Sequence, residues 1–475
     1  MADQLKDSDQ VRRFWQSPRV EGSLLFYDID SSLAHIRMLG DTGIVESETV
    51  LAVTGGLEQI RRELSAGGFS VQAGDVDIHM ALERRLSEIV GDASQALRIA
   101  KSRNDQIATD IRLWLRDAVF DVFAHLLSLR KVLIYLTERD IEVVMPGYTH
   151  MQPAMPILLS HWWLAHESRF RRDFNRLIDF YTRVNVLPLG ACALAGTDRP
   201  IDRSLVARYL SFDGIVENSL DAVSDRDYLV EFGSFATLVA THVSQLSGEL
   251  LLWSTQEFGF ARLRKAFVFG SLSMPQKRNP ELLEILRSRP SAIAGHLIEF
   301  VYQLKALPMG FSQDLQESLP GLLDIVDHLK FILELECVLL MGMEFDAGKM
   351  KQMALADLTN ASNAMDFLTA RGVMQEKAAK IVELLVNYCN QRNKYLSDLA
   401  LSEWQQFSPV FDLDIYKHVT IEESVGSRQS FGGTSKEQVM SAFNRATEVL
   451  ALDCQRLPAE AVSRFKEKDL CTNPP

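Results

Sequence analysis

Between Leu115 and Leu136 apolar residues recur at alternating spacings of four and three: Leu115, Val119, Val122, Leu126, Leu129, Leu133 and Leu136. A seam held over three heptads predicts one long helix in a bundle. Tyr228–Ser254 carries a similar face through Phe232, Phe235, Val239, Val243, Leu246, Leu250 and Trp253. Shorter helical ladders run through Leu33, Ile36 and Leu39, then Thr49–Leu64, then Asp77–Val90, with Gly40, Gly67-Gly68 and Gly91 as their stops. Pro146-Gly147 ends the long helix, and another helix follows Pro156 to about Leu177.

Residues 184–225 read as loops linked by a short helix, and 259–281 as a glycine- and proline-punctuated segment. Helical patterns resume over 281–306 and 321–343, then become shorter and more polar at 355–370 and 374–400, before a tail segment over 405–435. Three blocks result: an N-terminal helical domain over 1–110, a central long-helix bundle over 111–350 and a C-terminal helical domain over 351–475. The broad apolar faces of the middle block predict self-association.

Composition agrees with a mainly α chain. With 47% apolar and 24% charged residues, the 475-residue chain can build a large core. Only 26 glycines and 15 prolines are present, too few turn signals for a many-stranded architecture. A net charge of −13 repels phosphate backbones and anionic lipid, which argues against nucleic acid or a membrane surface as partner. Five scattered cysteines without a CxxC, and a polar N-terminus without an apolar signal core, predict reduced thiols in a cytoplasmic protein. No stretch approaches the length of a spanning helix.

Three polar segments interrupt the apolar pattern at helix boundaries. Ser102-Arg103-Asn104-Asp105 offers a guanidinium fork and an amide to a carboxylate, or simply a solvated helix start with Ser102 or Asp105 as cap. Gly147-Tyr148-Thr149-His150-Met151-Gln152 puts a histidine beside a threonine at the mouth of a helix, fit to move a proton or to be a structural residue. Gly270-Ser271-Leu272-Ser273-Met274-Pro275-Gln276-Lys277-Arg278-Asn279-Pro280 collects hydroxyls, two cations and an amide before a helix. It reads as an anion site or as a basic surface loop. Nucleophile-elbow, P-loop, dinucleotide and HExxH patterns are missing, so a serine hydrolase is disfavoured. His79 and Glu83 lie four apart on a helix, but two ligands do not make a metal site.

The third segment resembles the fumarase/aspartase signature G-S-S-x-M-P-x-K-x-N-P. More of the chain resembles the argininosuccinate lyase branch. The matching stretches include Asp28-Ile29, Ser32–His35, Asp77–His79, Ser102–Gln106, Met145–Gln152, Asn185–Gly190, Ala193–Thr197, Glu217–Asp227, Glu257–Phe260 and Phe431–Thr434. The resemblance runs in order from about residue 12 to 445. It implies a three-domain fumarase/aspartase-like fold with a central long-helix bundle. It also implies a homotetramer with sites assembled from three subunits, and reversible anti elimination releasing fumarate with neither metal nor cofactor.

Carried over by position, Ser271 is the base that takes a Cβ proton. Lys277 and Asn279 supply positive potential to the resulting aci-carboxylate. Ser102, Arg103 and Asn104 grip the succinyl carboxylates, Thr149 and His150 form the opposite wall with Gln152 beside them, and Glu284 orients the histidine. Such a pairing would raise the histidine pKa.

Departures from the pattern gather on one side. Leu272 stands where the second signature serine is usual, with Ser273 in the variable place. Arg98-Ile99-Ala100-Lys101 replaces H-T-G-R. On the leaving-group side, Ser17 and Arg19 lie in a segment where Glu21 replaces an aspartate and Ser23 an arginine. Farther on, Gln316 survives while Phe311 replaces a tyrosine and Leu319 a lysine. Each polar partner left unmade costs roughly 1–3 kcal/mol. The expectation is a carbon–nitrogen lyase of the ammonia or amidine type, acting on an N-substituted aspartate whose amine is not arginine. Ethylenediamine-disuccinate lyase is a model for such an enzyme. Argininosuccinate lyase itself and a catalytically silent structural relative are the alternatives.

Overall fold

The computed structural model describes residues 22–72, 75, 77–270, 273–356 and 358–466. Helices α1 (Leu25–Asp41), α2 (Ser47–Ser65) and α3 (Ile78–Val90) lead to α4 (Arg103–Arg139), whose 37 residues span about 55 Å. All seven positions of the predicted seam are fully buried, which is why so long a helix forms. Strands β1 (Val144–Thr149) and β2 (Gln152–Leu158) come next, then α5 (Leu159–Val184), β3 (Val186–Leu187), α6 (Arg203–Tyr209), β4 (Gly214–Ile215) and α7 (Ser219–Ser224).

Helix α8 (Asp227–Trp253) buries the whole face read from the sequence, from Phe232 to Trp253. Strands β5 (Ala261–Leu263), β6 (Phe269–Gly270) and β7 (Arg278–Asn279) precede α9 (Glu281–Ser288) and α10 (Pro290–Leu304). The expected 281–306 helix is therefore two, because Pro290 has no N–H to continue the first. Helix α11 (Leu319–Gly342) runs into β8 (Met343–Phe345), and α12 (Ala347–Ala356), α13 (Ala361–Ala370) and α14 (Gln375–Arg392) follow. The 374–400 helix stops early at Asn393, which takes the left-handed conformation common just past a helix end. The 405–435 tail holds short helices, and α15 (Lys436–Gln455), capped by Ser435, lies beyond it.

The chain divides into two compact units. The first holds the described residues to Phe123, Asn175–Leu238 and Pro290–Lys330. Its core gathers Ile29, Leu39, Leu57, Leu86, Leu187 and Val206. The second holds Ala124–Phe174, Val239–Arg289 and the described residues from Phe331 onward. Phe367, Leu385, Trp404 and Phe411 form a core within it. Among the described residues no helix is long and apolar enough to cross a membrane.

The histidine segment is not at a helix mouth, as the Pro146-Gly147 break suggested. Strands β1 and β2 pair antiparallel from Val144↔Leu158 to Thr149↔Gln152, with a bulge at Gly147/Tyr148. Gly147 is required there, since a Cβ would come within 2.9 Å of the Met155 carbonyl oxygen.

Candidate active site

In the first unit, Ser102 opens α4 as a reciprocal cap. Its Oγ accepts the Asn104 N–H at 3.3 Å, while the Asp105 carboxylate, three residues on, accepts the Ser102 N–H at 2.9 Å. Asn104 Nδ2 donates to the Ala193 carbonyl at 3.0 Å. Arg103 pairs with Asp77, the buried N-cap of α3. A bound carboxylate would share that guanidinium with Asp77.

Beneath this turn lies a buried polar cluster. His79 pairs with Asp28, which also accepts from Gln106 and Ser32; Ser31 donates to Asp110 at 2.8 Å. Burial works against the His79 cation, but the Asp28 charge and hydrogen bond outweigh it and raise the imidazole pKa to about 9. Burial, then the Asp28 charge, holds the Asp110 carboxyl well above its ordinary range. At neutral pH the protonated His79 and the Asp28 carboxylate form a buried ion pair beside Asp110, with Lys101 Nζ 3.3 Å from Ser32 Oγ. Asp28, His79 and Asp110 bring one ligand atom each within 4.8 Å of one another, so a metal ion could be held there only by displacing the His79 proton. Glu83 pairs with Arg98 at 2.8 Å and takes no part.

In the second unit, His150 and Met151 form the two-residue turn of the β1–β2 hairpin with φ of 54° and 60°. Left-handed backbone costs about 1–2 kcal/mol for each L-residue, and strain of this kind gathers at functional sites. The turn leaves Thr149, His150 and Gln152 exposed, with Gln152 Nε2 donating to the Met151 carbonyl at 3.1 Å.

The signature segment is clasped by β6 and β7, which pair Phe269↔Asn279 and Gly270↔Arg278. Within it Lys277 N–H donates to the Met274 carbonyl at 2.9 Å. Lys277, Asn279 and Glu284 line one cavity of about 630 Å³ together with Glu281, Ile285, Arg287 and Ser288. Ser271 and Leu272 lie outside the described residues, as do Ser17, Arg19 and Glu21. Among the described residues no hydrogen bond or ion pair joins His150 to Glu284 within the chain.

On the expected leaving-group side, Phe311 is half-buried and Leu319, at the start of α11, is only 4% exposed. Gln316 Oε1 is buried and, among the described residues, unpartnered.

Sequence reasoning offered Asp105 only as a possible cap of this helix and gave Asp77 no role. The S-x-x-D spacing of Ser102 and Asp105 was the available signal, being a capping pattern as well as a polar cluster.

Residues 13–295 match the lyase family, and residues 358–426 match the argininosuccinate lyase C-terminal family. Argininosuccinate lyase of Nitrosospira multiformis is 42% identical over 444 residues, covering 94% of this chain and 93% of the relative. That of a Synechococcus species is 44% identical over 438 residues, covering 92% and 90%. The chain belongs to the argininosuccinate lyase branch of the fumarase/aspartase superfamily. Among solved structures, EDDS lyase in complex with formate has a TM-score of 0.85 at 24% identity, covering 95% of this chain and 91% of that one. Class II fumarase of Schistosoma mansoni has a TM-score of 0.72 at 16% identity, covering 88% and 93%. These likenesses concern the fold, the multi-domain helical architecture of the superfamily. Membership makes the protein a carbon–nitrogen lyase.

Proposed function

We propose that the protein cleaves an N-substituted aspartate to fumarate and a free amine other than arginine, and can run the addition in reverse. Ser271 takes the Cβ proton, and the electron pair is held as an aci-carboxylate facing Lys277 and Asn279. The Cα–N bond then breaks, and the amine leaves with a proton delivered or organised by His150 and Thr149. Neither the carbon nor a serine hydroxyl is acidic, so preorganised positive charge must carry much of the step; by analogy with an oxyanion hole, one donor is worth about 3–4 kcal/mol. Ser102, Arg103 and Asn104 hold the succinyl carboxylates, with Gln152 nearby.

Within one chain His150 and Glu284 do not pair, as befits a site completed by other subunits of a homotetramer. Glu284 would then orient the histidine of a neighbouring copy.

The observation that carries the leaving-group assignment is Leu319. It is buried and apolar where the branch pattern has a lysine, and Phe311 brings no hydroxyl where that pattern has a tyrosine. With Ser17, Arg19, Glu21 and Gln316 these positions form the amine side of the site. Cleavage of argininosuccinate itself is the second reading, favoured by the identity of 42–44% to enzymes of that name. A panel of amines incubated with fumarate, followed by loss of fumarate absorbance and product mass, tests the proposal. Adducts with amines other than arginine support it, and reaction with arginine alone overturns it.

A further inference from the structure

The Asp105 side chain has a second task that the carboxylate-binding reading leaves unused. It is fully buried in the first turn of α4 and accepts three backbone N–H groups. One oxygen takes Ser102 at 2.9 Å, while the other takes Gly190 at 2.9 Å and Cys192 at 2.7 Å. The last two belong to a loop far along the chain whose backbone must turn left-handed, with φ of 91° at Gly190 and 55° at Cys192.

The same loop is held from its other side. The Arg203 guanidinium donates to the carbonyls of Leu187, Pro188, Leu189 and Val216, and its stem occupies the space that a Cβ on Gly190 would need. Ala191 packs into a small cluster with Val216, Ala222 and Val223, and Asn104 reaches Ala193. The loop's donors thus face a carboxylate and its acceptors face a guanidinium.

We infer that Asp105 is a positioning residue that locks the Ser102–Asn104 turn to the 190–193 loop, making that loop a wall of the carboxylate-binding site. The inference rests on the reading of Ser102, Arg103 and Asn104 as the carboxylate grip. An asparagine in place of Asp105 keeps the shape but presents an NH2 to at least one N–H donor. Either the turn or the loop is then released. Burial pushes the Asp105 carboxyl up to about 6, so it remains charged at neutral pH, when three amides need an acceptor.

Fumarate is the probe. Its dissociation constant, measured by calorimetry at pH 7.5, should rise at least tenfold in Asp105→Asn, and the core variant Ile60→Val in the same unit should match wild type. Amide exchange in the wild-type protein should slow at Gly190 and Cys192, together with Ser102, when fumarate saturates it. Equal affinity for wild type and Asp105→Asn overturns the inference. So does fumarate protection that stops at residues 102–105, a readout that holds even if Asp105→Asn fails to fold. Arg103→Ala separates the two levels. Loss of affinity there, with none in Asp105→Asn, sinks the inference alone, whereas unchanged affinity in Arg103→Ala sinks the carboxylate-grip reading beneath it.

Discussion

Arg130 donates to Asp453 at 2.8 Å across 323 residues of chain, and both are buried. Its Nε also donates to Glu167 at 3.0 Å, and its guanidinium lies 5.6 Å from the Phe174 ring centroid. The contact ties helix α15 to α4 within the second unit. Removing Asp453 leaves Arg130 paired with Glu167 but its Nη1 without that acceptor, at about 1–3 kcal/mol. Asp453→Ala should lower stability by about that amount, read as a shift of the urea midpoint without a change of slope.

Glu336 gives the protein a pH-dependent stability. Burial raises its carboxyl to about 8, the Ser247 hydrogen bond offsetting only part of this. Since the folded value exceeds the ordinary 4.5, the contribution is fully present below about pH 4.5 and is lost as the pH rises through about 8. Glu336→Gln removes the titration. The variant's melting temperature relative to wild type should therefore rise steadily from pH 5 to pH 8, and a constant difference would show that Glu336 does not titrate in this window.

Ser271→Ala should fold and assemble as wild type yet lose at least a hundredfold in turnover, an ordinary contribution for a positioned base. Circular dichroism and sedimentation check the first half, and fumarate release followed by its absorbance checks the second. Near-wild-type turnover removes Ser271 from the proposed mechanism.

His150→Asn is the informative change at the hairpin turn, because asparagine tolerates the left-handed backbone that His150 adopts. The loss then reports on the imidazole rather than on the turn. Turnover should fall roughly 10²–10⁴-fold if His150 moves a proton. Unchanged turnover and substrate affinity would take it out of the site.

The long elements were legible because their signal is local. Seven apolar positions of α4 at helical spacing are also the seven that lie fully buried. The β1–β2 hairpin was not, since Pro146 and Gly147 read as a simple break, whereas here they sit inside a bulged strand. Candidate residues in the signature and in the Ser102 turn could be named from their motifs. Asp105 and Asp77 could not be given their roles: Asp105 binds amides more than 80 residues away, and Asp77 pairs with Arg103 from another helix. Periodicity carries no information about such contacts.

Phe311→Tyr combined with Leu319→Lys restores the hydroxyl and ammonium of the branch pattern. The double variant should gain at least tenfold in kcat/KM for argininosuccinate, equivalent to about 1.4 kcal/mol of recovered binding in the transition state. No gain would place the amine side of the site elsewhere.

The most direct measurement compares kcat/KM for argininosuccinate with that for the aspartate adduct of the best amine from the panel, using the same preparation of wild-type enzyme. An enzyme built for another amine should cleave argininosuccinate at least a hundredfold less efficiently. Equal or greater efficiency with argininosuccinate would contradict it.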